Sequence, residues 1–196
     1  MITRELFTSL LLAALLLPAS AFAANYKVDA AHSKVGFRVK HLGISYVTGF
    51  FDNYDANFTF DPDKIEQAKA EAVIKVKSID TDNEKRDDHL RSPDFFNASE
   101  HPQLSFTSKQ VEKVSDKKFK VMGDLSMNGV TLPVTLDATY NGEAKDPWGN
   151  ERASFSAETT INRKDFGLKW NKVLEAGGVL VGEEVIVMLE IQGIKQ

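Results

Sequence analysis

The side chains with the clearest capacity for chemistry lie between Arg86 and Phe96, in the string RDDHLRSPDFF. Acid, base and imidazole occur together there, and His89 with Asp87 or Asp88 is a pairing that general acid–base catalysis uses. An enzyme acting on a lipid or small metabolite is therefore one reading. The other is structural: on a short helix Arg86, Asp87, Asp88 and Arg91 form i, i+3 and i, i+4 pairs. Asp94 then caps the turn after Pro93, and Phe95 and Phe96 anchor the segment to the rest of the fold. The structural reading is the stronger, because charged clusters on polar helices are usually solvated faces or local networks. The remaining histidines, His32, His41 and His101, offer no zinc-ligand spacing. The odd separation of His32 and His41 would place them on opposite faces of one strand. The chain has no cysteine, which excludes disulfides, thiolate metal sites and thiol nucleophiles. No nucleophile elbow, phosphate-binding loop or dinucleotide fingerprint is present, so no cofactor or metal is expected and a non-catalytic protein is.

The elements that must position these residues are strands. Of 196 residues, 42% are hydrophobic and 27% charged, a globular composition long enough for one domain with a sizeable core. The net charge of −4, from 24 basic and 28 acidic residues, gives no basic surplus that points to nucleic acid or an anionic membrane. Period-two alternation dominates. Val35, Phe37 and Val39 form one such row; Tyr54, Ala56, Phe58 and Phe60 another; Ala72, Ile74 and Val76 a third. Leu104 and Phe106 are followed by Phe119, Val121, Gly123, Leu125 and Met127, then by Val134, Leu136, Ala138 and Tyr140. Phe155, Ala157, Thr159 and Ile161 come next, and Val185, Val187, Leu189 and Ile191 last. Turns are expected at Asp61-Pro62-Asp63, Ser115-Asp116, Asn128-Gly129, Asn141-Gly142 and Asp146 to Asn150. Helix is scarce: two or three turns over Asp80 to Arg91, capped by Thr81 or Asp82, and short turns near Lys64 to Ala68 and Lys164 to Leu168. About eight strands in sequential antiparallel order predict an all-β barrel or sandwich. An eight-stranded barrel is wide enough either to fill itself with side chains or to hold one small ligand, and alternation leaves that choice open.

The first residues belong to a different kind of segment. Leu10 to Leu17 is an apolar run too short to span a bilayer. Pro18 and the small-residue stretch Ala19 to Ala24 follow it. This is the layout of a secretory signal peptide cleaved after Ala23, so residues 1–23 are expected to be removed and residues 24–196 to form the exported domain. No later segment is expected to cross a membrane.

Several strings, in this order, resemble one family. His32 to Ser45 (HSKVGFRVKHLGIS) with Gly49-Phe50-Phe51, Arg86 to Phe96, Gly123 to Val134 (GDLSMNGVTLPV) and Arg163 to Gly167 (RKDFG) resemble the YceI-like polyisoprenoid-binding proteins. Asp146-Pro147-Trp148-Gly149 fits their proteobacterial periplasmic branch. The resemblance implies an extended, eight-stranded, lipocalin-like barrel in the periplasm. An apolar tunnel inside it would hold a long isoprenoid chain, such as the tail of a polyprenyl quinone, as ligand. Carried onto matched strands, it points to Val35, Phe37, Val39, Leu125 and Met127 as tunnel-lining residues. Alternation adds Phe58, Phe60, Ile74, Val76, Phe106, Phe155, Val187 and Leu189. His41 shares the parity of Val39 and is expected at the tunnel rim. Two further partners are left as expectations: a second copy of the chain, through whichever of Phe50 and Phe51 faces outward, and a membrane redox protein.

Overall fold

The computed structural model describes residues 23–175 and 177–196; the expected export segment, residues 1–23, lies outside these apart from Ala23. Eleven strand segments follow one another as β1 (Ala24–Val28), β2 (Lys34–His41), β3 (Ser45–Phe51), β4 (Tyr54–Phe60), β5 (Lys69–Lys75) and β6 (Ile79–Asp80), then β7 (Gln103–Lys113), β8 (Lys118–Met127), β9 (Val130–Lys145), β10 (Glu151–Asn162) and β11 (Val181–Lys195). Among the described residues a single α-helix, α1 (Glu84–Arg91), lies between β6 and β7. All pairings are antiparallel. The sheet runs β1-β4-β5-β7-β8-β9-β10-β11, and β11 bonds back to β1. Its other neighbours on that edge are β2, then β3 and β6. The eleven segments are thus a closed barrel of eight strand paths, because β1 with β2, β3 with β4 and β5 with β6 are interrupted single paths.

The interruption between β1 and β2 is bridged by side chains. Ser33 Oγ accepts from Gln192 N (2.9 Å), and Asp29 N donates to Gln192 O (2.8 Å). On the outer face Arg152 donates to Asp29 (2.7 Å), to Gln192 Oε1 (2.8 Å) and to Asp146 (2.9 Å). The Arg152 hydrogen bond, with those of His32 and Ala31, holds the Asp29 carboxyl below the usual carboxylate range. Desolvation alone would raise Asp146, but hydrogen bonds from Asn150, Arg152 and the Asn150 and Trp148 backbone outweigh it and hold this carboxyl low as well.

Register fixes which side chains face inward. Val35, Phe37 and Val39 pair with Leu189, Val187 and Val185, and these with Ala157, Thr159 and Ile161. The rows expected from alternation therefore share one face, as a closed sheet requires. Two bulges change the parity. One lies at Lys109, so that Val111 rather than an even-numbered residue faces Val121. The other falls at Asn141, where a turn was expected; β9 runs straight through it because the extra residue is absorbed as a bulge between Phe155 and Ser154. The expected Asn128-Gly129 hairpin is present, both residues having positive φ (51° and 76°). The helix begins later than expected. Its cap is Asn83, whose side chain accepts from Arg86 N (3.0 Å), and not Thr81 or Asp82. Thr81 is engaged by Asp87 instead. Of the two neighbouring phenylalanines Phe51 is buried, and Phe50 lies on the outer face over Gly36.

The interior holds two groups of buried side chains. At the end formed by β1 and the C-terminal half of β11, Tyr26, Phe60, Ile65, Val111, Phe119 and Val121 pack with Phe58, Tyr140 and Phe155. Ring centroids there are 4.8 Å apart for Tyr26–Phe58, Phe60–Tyr140 and Phe60–Phe155. Aromatic rings crowd this end. Nearer the other end, Phe51, Ile74, Val76, Ile79, Phe95, Phe96, Met127 and Phe166 form the second group. Three inward rings rest on glycines of other wall strands. A Cβ would come within 2.5 Å of Phe37 at Gly49, 2.5 Å of Phe58 at Gly193 and 2.6 Å of Phe106 at Gly123. Rings laid on the wall in this way take up less of the bore.

Two outcomes follow. Gly193→Ala forces Phe58 off the wall, and the urea midpoint should fall by the equivalent of about 1–3 kcal/mol; an unchanged midpoint would show that the ring is free to move. The stability contributed by the lowered Asp29 and Asp146 carboxyls is complete above their unfolded pKa of about 4 and is lost as pH falls through their folded values. The thermal midpoint should therefore drop on the acid side, and Arg152→Met should both lower it at neutral pH and flatten that drop.

Candidate functional site

β2 and β3 form one wall of a cavity of about 200 Å³ at the barrel end opposite the aromatic packing. Phe37, Val39 and His41 project from β2 and Val47 from β3, with Leu180 and Val181 on the entry to β11. The far wall comes from His89 and Leu90 of α1, with Arg86, Phe95 and Trp170. The lining is almost entirely apolar. His89 belongs to it through its ring, set edge-on to Trp170 (4.7 Å) and Phe95 (5.0 Å). Its Nε2 lies 2.9 Å from Asp94 Oδ2, which fixes the imidazole beside both aromatic rings.

The polar string around α1 works as a brace. The buried Asp87 carboxylate accepts from Thr81 N (3.0 Å) and Thr81 Oγ1 (2.5 Å). Arg86 Nε donates to the same Thr81 Oγ1 (2.7 Å) and Arg86 Nη2 to Thr81 O (2.6 Å). Arg91 donates to Ile79 O (2.8 Å), Lys77 O (3.1 Å) and Asp88 (3.0 Å). These bonds tie the helix to β6 and so hold Leu90 and His89 at the cavity. The expected Arg91–Asp88 pair is there, but Asp94 serves His89 instead of capping a turn. The acid–base alternative is not assembled: His89 is bonded to Asp94, Asp87 to Thr81 and Asp88 to Arg91.

A buried arginine sets the opposite lip. Arg163 donates to the carbonyls of Gly182 (2.8 Å), Leu168 and Val181 (3.4 Å). Burial pulls its guanidinium pKa down from the ordinary arginine value, although an arginine stays charged at neutral pH. This clamp folds the Lys164 to Leu168 turn onto the start of β11, and Trp170 follows directly from it. Asn128 Nδ2 donates to Phe166 O (3.1 Å), so the β8–β9 hairpin is fastened to the same corner. Strings far apart in sequence therefore meet at one end of the barrel.

The sequence-expected lining residues divide by depth. Phe37, Val39 and His41 line the cavity itself. Ile74, Val76 and Met127 are buried in the upper group, with Val35 and Leu125 packed on it. Phe60 is buried among the aromatic rings of the closed end, where Phe58, Phe106 and Phe155 also pack. Val187 and Leu189 face inward opposite Phe37 and Val35 and are only partly buried. Trp170, Phe95, Leu90, Val47, Leu180 and Val181 were absent from the expected set. Val47 was readable, since it pairs with Val39. Trp170 was not, because nothing in the aperiodic stretch before β11 marks its facing.

Inside the barrel, Tyr54 adds one polar group. Its hydroxyl is buried with no hydrogen-bond partner among the described residues, and burial, then the Asp52 and Asp29 charges, raises its pKa. A larger depression of about 430 Å³ lies across α1, lined by Asp52, Asp80, Asp82, Glu84 and Arg91 among others; it is ionic and open to water. No cluster of three or more potential metal ligands occurs among the described residues. No helix among them is long and apolar enough to cross a membrane.

A closed antiparallel barrel with an apolar cavity at one end is an architecture able to take a small molecule into its mouth. The YceI-like domain matches residues 26–193, and the chain belongs to that family. It is 42% identical to protein YceI of Escherichia coli O157:H7 over 179 residues, covering 90% of both chains. Its fold is similar to the crystal structure of BcnA from Burkholderia cenocepacia, with 26% identity and a TM-score of 0.74 over 84% of this chain and 98% of that one. A polyisoprenoid-binding domain from Saccharophagus degradans has the same fold at 16% identity, with a TM-score of 0.65 over 89% of this chain and 100% of that one.

The brace and the imidazole are separable by mutation. Asp87→Ala leaves two Thr81 donors without their acceptor in a buried site and should lower stability by about 1–3 kcal/mol. His89→Ala removes a half-exposed hydrogen bond to Asp94 and should cost about 1 kcal/mol or less. Urea denaturation of both variants checks the order.

Proposed function

We propose that the protein is a non-catalytic, exported carrier of long-chain isoprenoid lipids, taking a polyprenyl or quinone tail into the barrel through the cavity at Phe37, Val39 and His41. The observation that carries this reading is the accessibility of inward-facing walls. Val35, Phe37, Val39, Val185, Val187 and Leu189 point into a closed barrel, yet all retain solvent-accessible surface. Inward side chains away from a rim keep such surface only where the bore is not filled by its own residues. An apolar bore favours a flexible hydrocarbon chain. Each buried methylene contributes roughly 0.8 kcal/mol, so ten chain carbons supply about 8 kcal/mol before ordering costs.

The family and the Saccharophagus domain's description as polyisoprenoid-binding support the ligand class. The signal-peptide layout of residues 1–23 supports a periplasmic location. Tyr54 offers its unpartnered hydroxyl to any polar group that the chain carries inside. The catalytic alternative has no comparable support, since its imidazole and its two carboxylates are engaged with different partners.

Mass spectrometry of a lipid extract from the natively purified protein should find a long-chain lipid at near-stoichiometric amount. Val39→Trp, which fills the cavity from the β2 wall, should weaken polyprenol binding by about tenfold or more, in line with the loss of two or more buried methylenes. A protein that yields no lipid and takes up no polyprenol would end this reading.

A further inference from the structure

The exposed apolar side chains are not scattered evenly. Leu42 and Ile44, 40% and 85% exposed, sit at the tip of the β2–β3 hairpin. Val173 and Val179, 83% and 37% exposed, bridge to each other in the loop before β11. The two tips adjoin: Leu42 N donates to Leu180 O (2.9 Å), and Leu180 N to Lys172 O (2.9 Å). Both continue the rim of the apolar cavity, which is lined by their neighbours His41, Leu180 and Val181.

The hairpin tip also departs from what a water-facing turn favours. Leu42 and Gly43 both have positive φ, 55° and 73°. Asparagine or glycine takes this conformation with less strain than leucine and exposes no hydrocarbon. A strained backbone that presents apolar side chains to water is a reason to look for function there. Around these tips Lys40, Lys169 and Lys172 are exposed, with no ion-pair partner among the described residues, against Asp165 and Glu175 in the stretch between β10 and β11. This excess of positive charge stands in a chain whose net charge is −4.

We propose that this rim docks on a bilayer carrying anionic headgroups, with Leu42, Ile44, Val173 and Val179 entering the interface and the three lysines meeting the headgroups. Small convex apolar tips ringed by lysine match the physics of interfacial anchoring, whereas a protein partner is matched by a broader contiguous patch. The inference rests on the carrier reading for its purpose, since docking at the mouth lets a chain pass between membrane and bore without crossing water. Its geometry stands independently of that reading.

Flotation of the mature protein with vesicles tests it. The wild type should bind phosphatidylcholine vesicles containing phosphatidylglycerol more tightly than phosphatidylcholine alone, and salt should weaken the difference. The double variant Ile44→Asp/Val173→Asp should lower vesicle binding by about tenfold or more. Lys169→Glu/Lys172→Glu should lower it on anionic vesicles by about fivefold or more for each lysine. Both variants should take up polyprenol from detergent micelles as the wild type does, while extracting it from vesicles more slowly. Trp148→Ser, at an exposed tip of the opposite end, should float unchanged. A wild type that floats with neither vesicle, rim variants that float like the wild type, or a loss seen only with Trp148→Ser would overturn the proposal. Flotation that depends on the rim, in a protein that takes up no polyprenol from micelles, would support docking and overturn the carrier reading.

Discussion

The barrel exists because β11 has no free edge. One side bonds β10 from Glu184 to Ile194, and the other is divided between β2 and β1. Where that second side is interrupted, Ser33 and Asp29 supply the bonds that a strand would have made, and Arg152 fastens the patch from outside. Without that continuity the sheet would have an open seam with unpaired backbone groups, a state that soluble sheets avoid. The chain has no disulfide to close such a seam from elsewhere. Closure rests on hydrogen bonding and packing.

Closure in turn divides every strand into a wet face and an enclosed one, and the enclosed face is treated differently along the axis. At one end Phe60, Phe119, Tyr140 and Phe155 meet ring to ring. Tyr26, stacked on Phe58 there, has its hydroxyl pKa pushed up to about 12 by burial and then by the charge of Glu143. At the other end the wall is not made by strands alone. Helix α1 and the turn held by Arg163 stand in for strands, and the aromatic groups of His89, Phe95 and Trp170 form a side of a cavity without filling it. The two ends differ because one is closed by residues of the sheet itself and the other by segments braced against it.

Much of this was legible in sequence, for a physical reason. Alternation reports which face a side chain occupies, so the inward rows containing Phe37, Phe58, Leu125 and Val187 came out together. It does not report depth. Phe58 and Phe155 have the same pattern as Phe37, yet they lie in the packed end and Phe37 lies at the cavity. Parity is also blind to inserted residues: the bulge at Lys109 hid Val111, and the one at Asn141 read as a turn. Trp170 was hidden for another reason. Its position depends on Arg163 gathering carbonyls from Leu168 and from the start of β11, contacts that no local pattern encodes. The charged string before Phe95 was readable as structure, but its partners were Thr81 and the β6 carbonyls more than its own helix neighbours.

A bore crowded by aromatic rings at one end and edged by an apolar cavity at the other has a direction. An elongated molecule can enter it only tip first, and whichever terminus is bulkier or better hydrated is left at the entrance. A chain carried as proposed would be presented in one orientation, with its distinguishing chemistry outward and its repetitive hydrocarbon hidden. On the proposed carrier reading, the aromatic packing of Phe60, Phe119 and Phe155 does more than stabilise the fold: it would make carriage polar, with loading and release at one doorway.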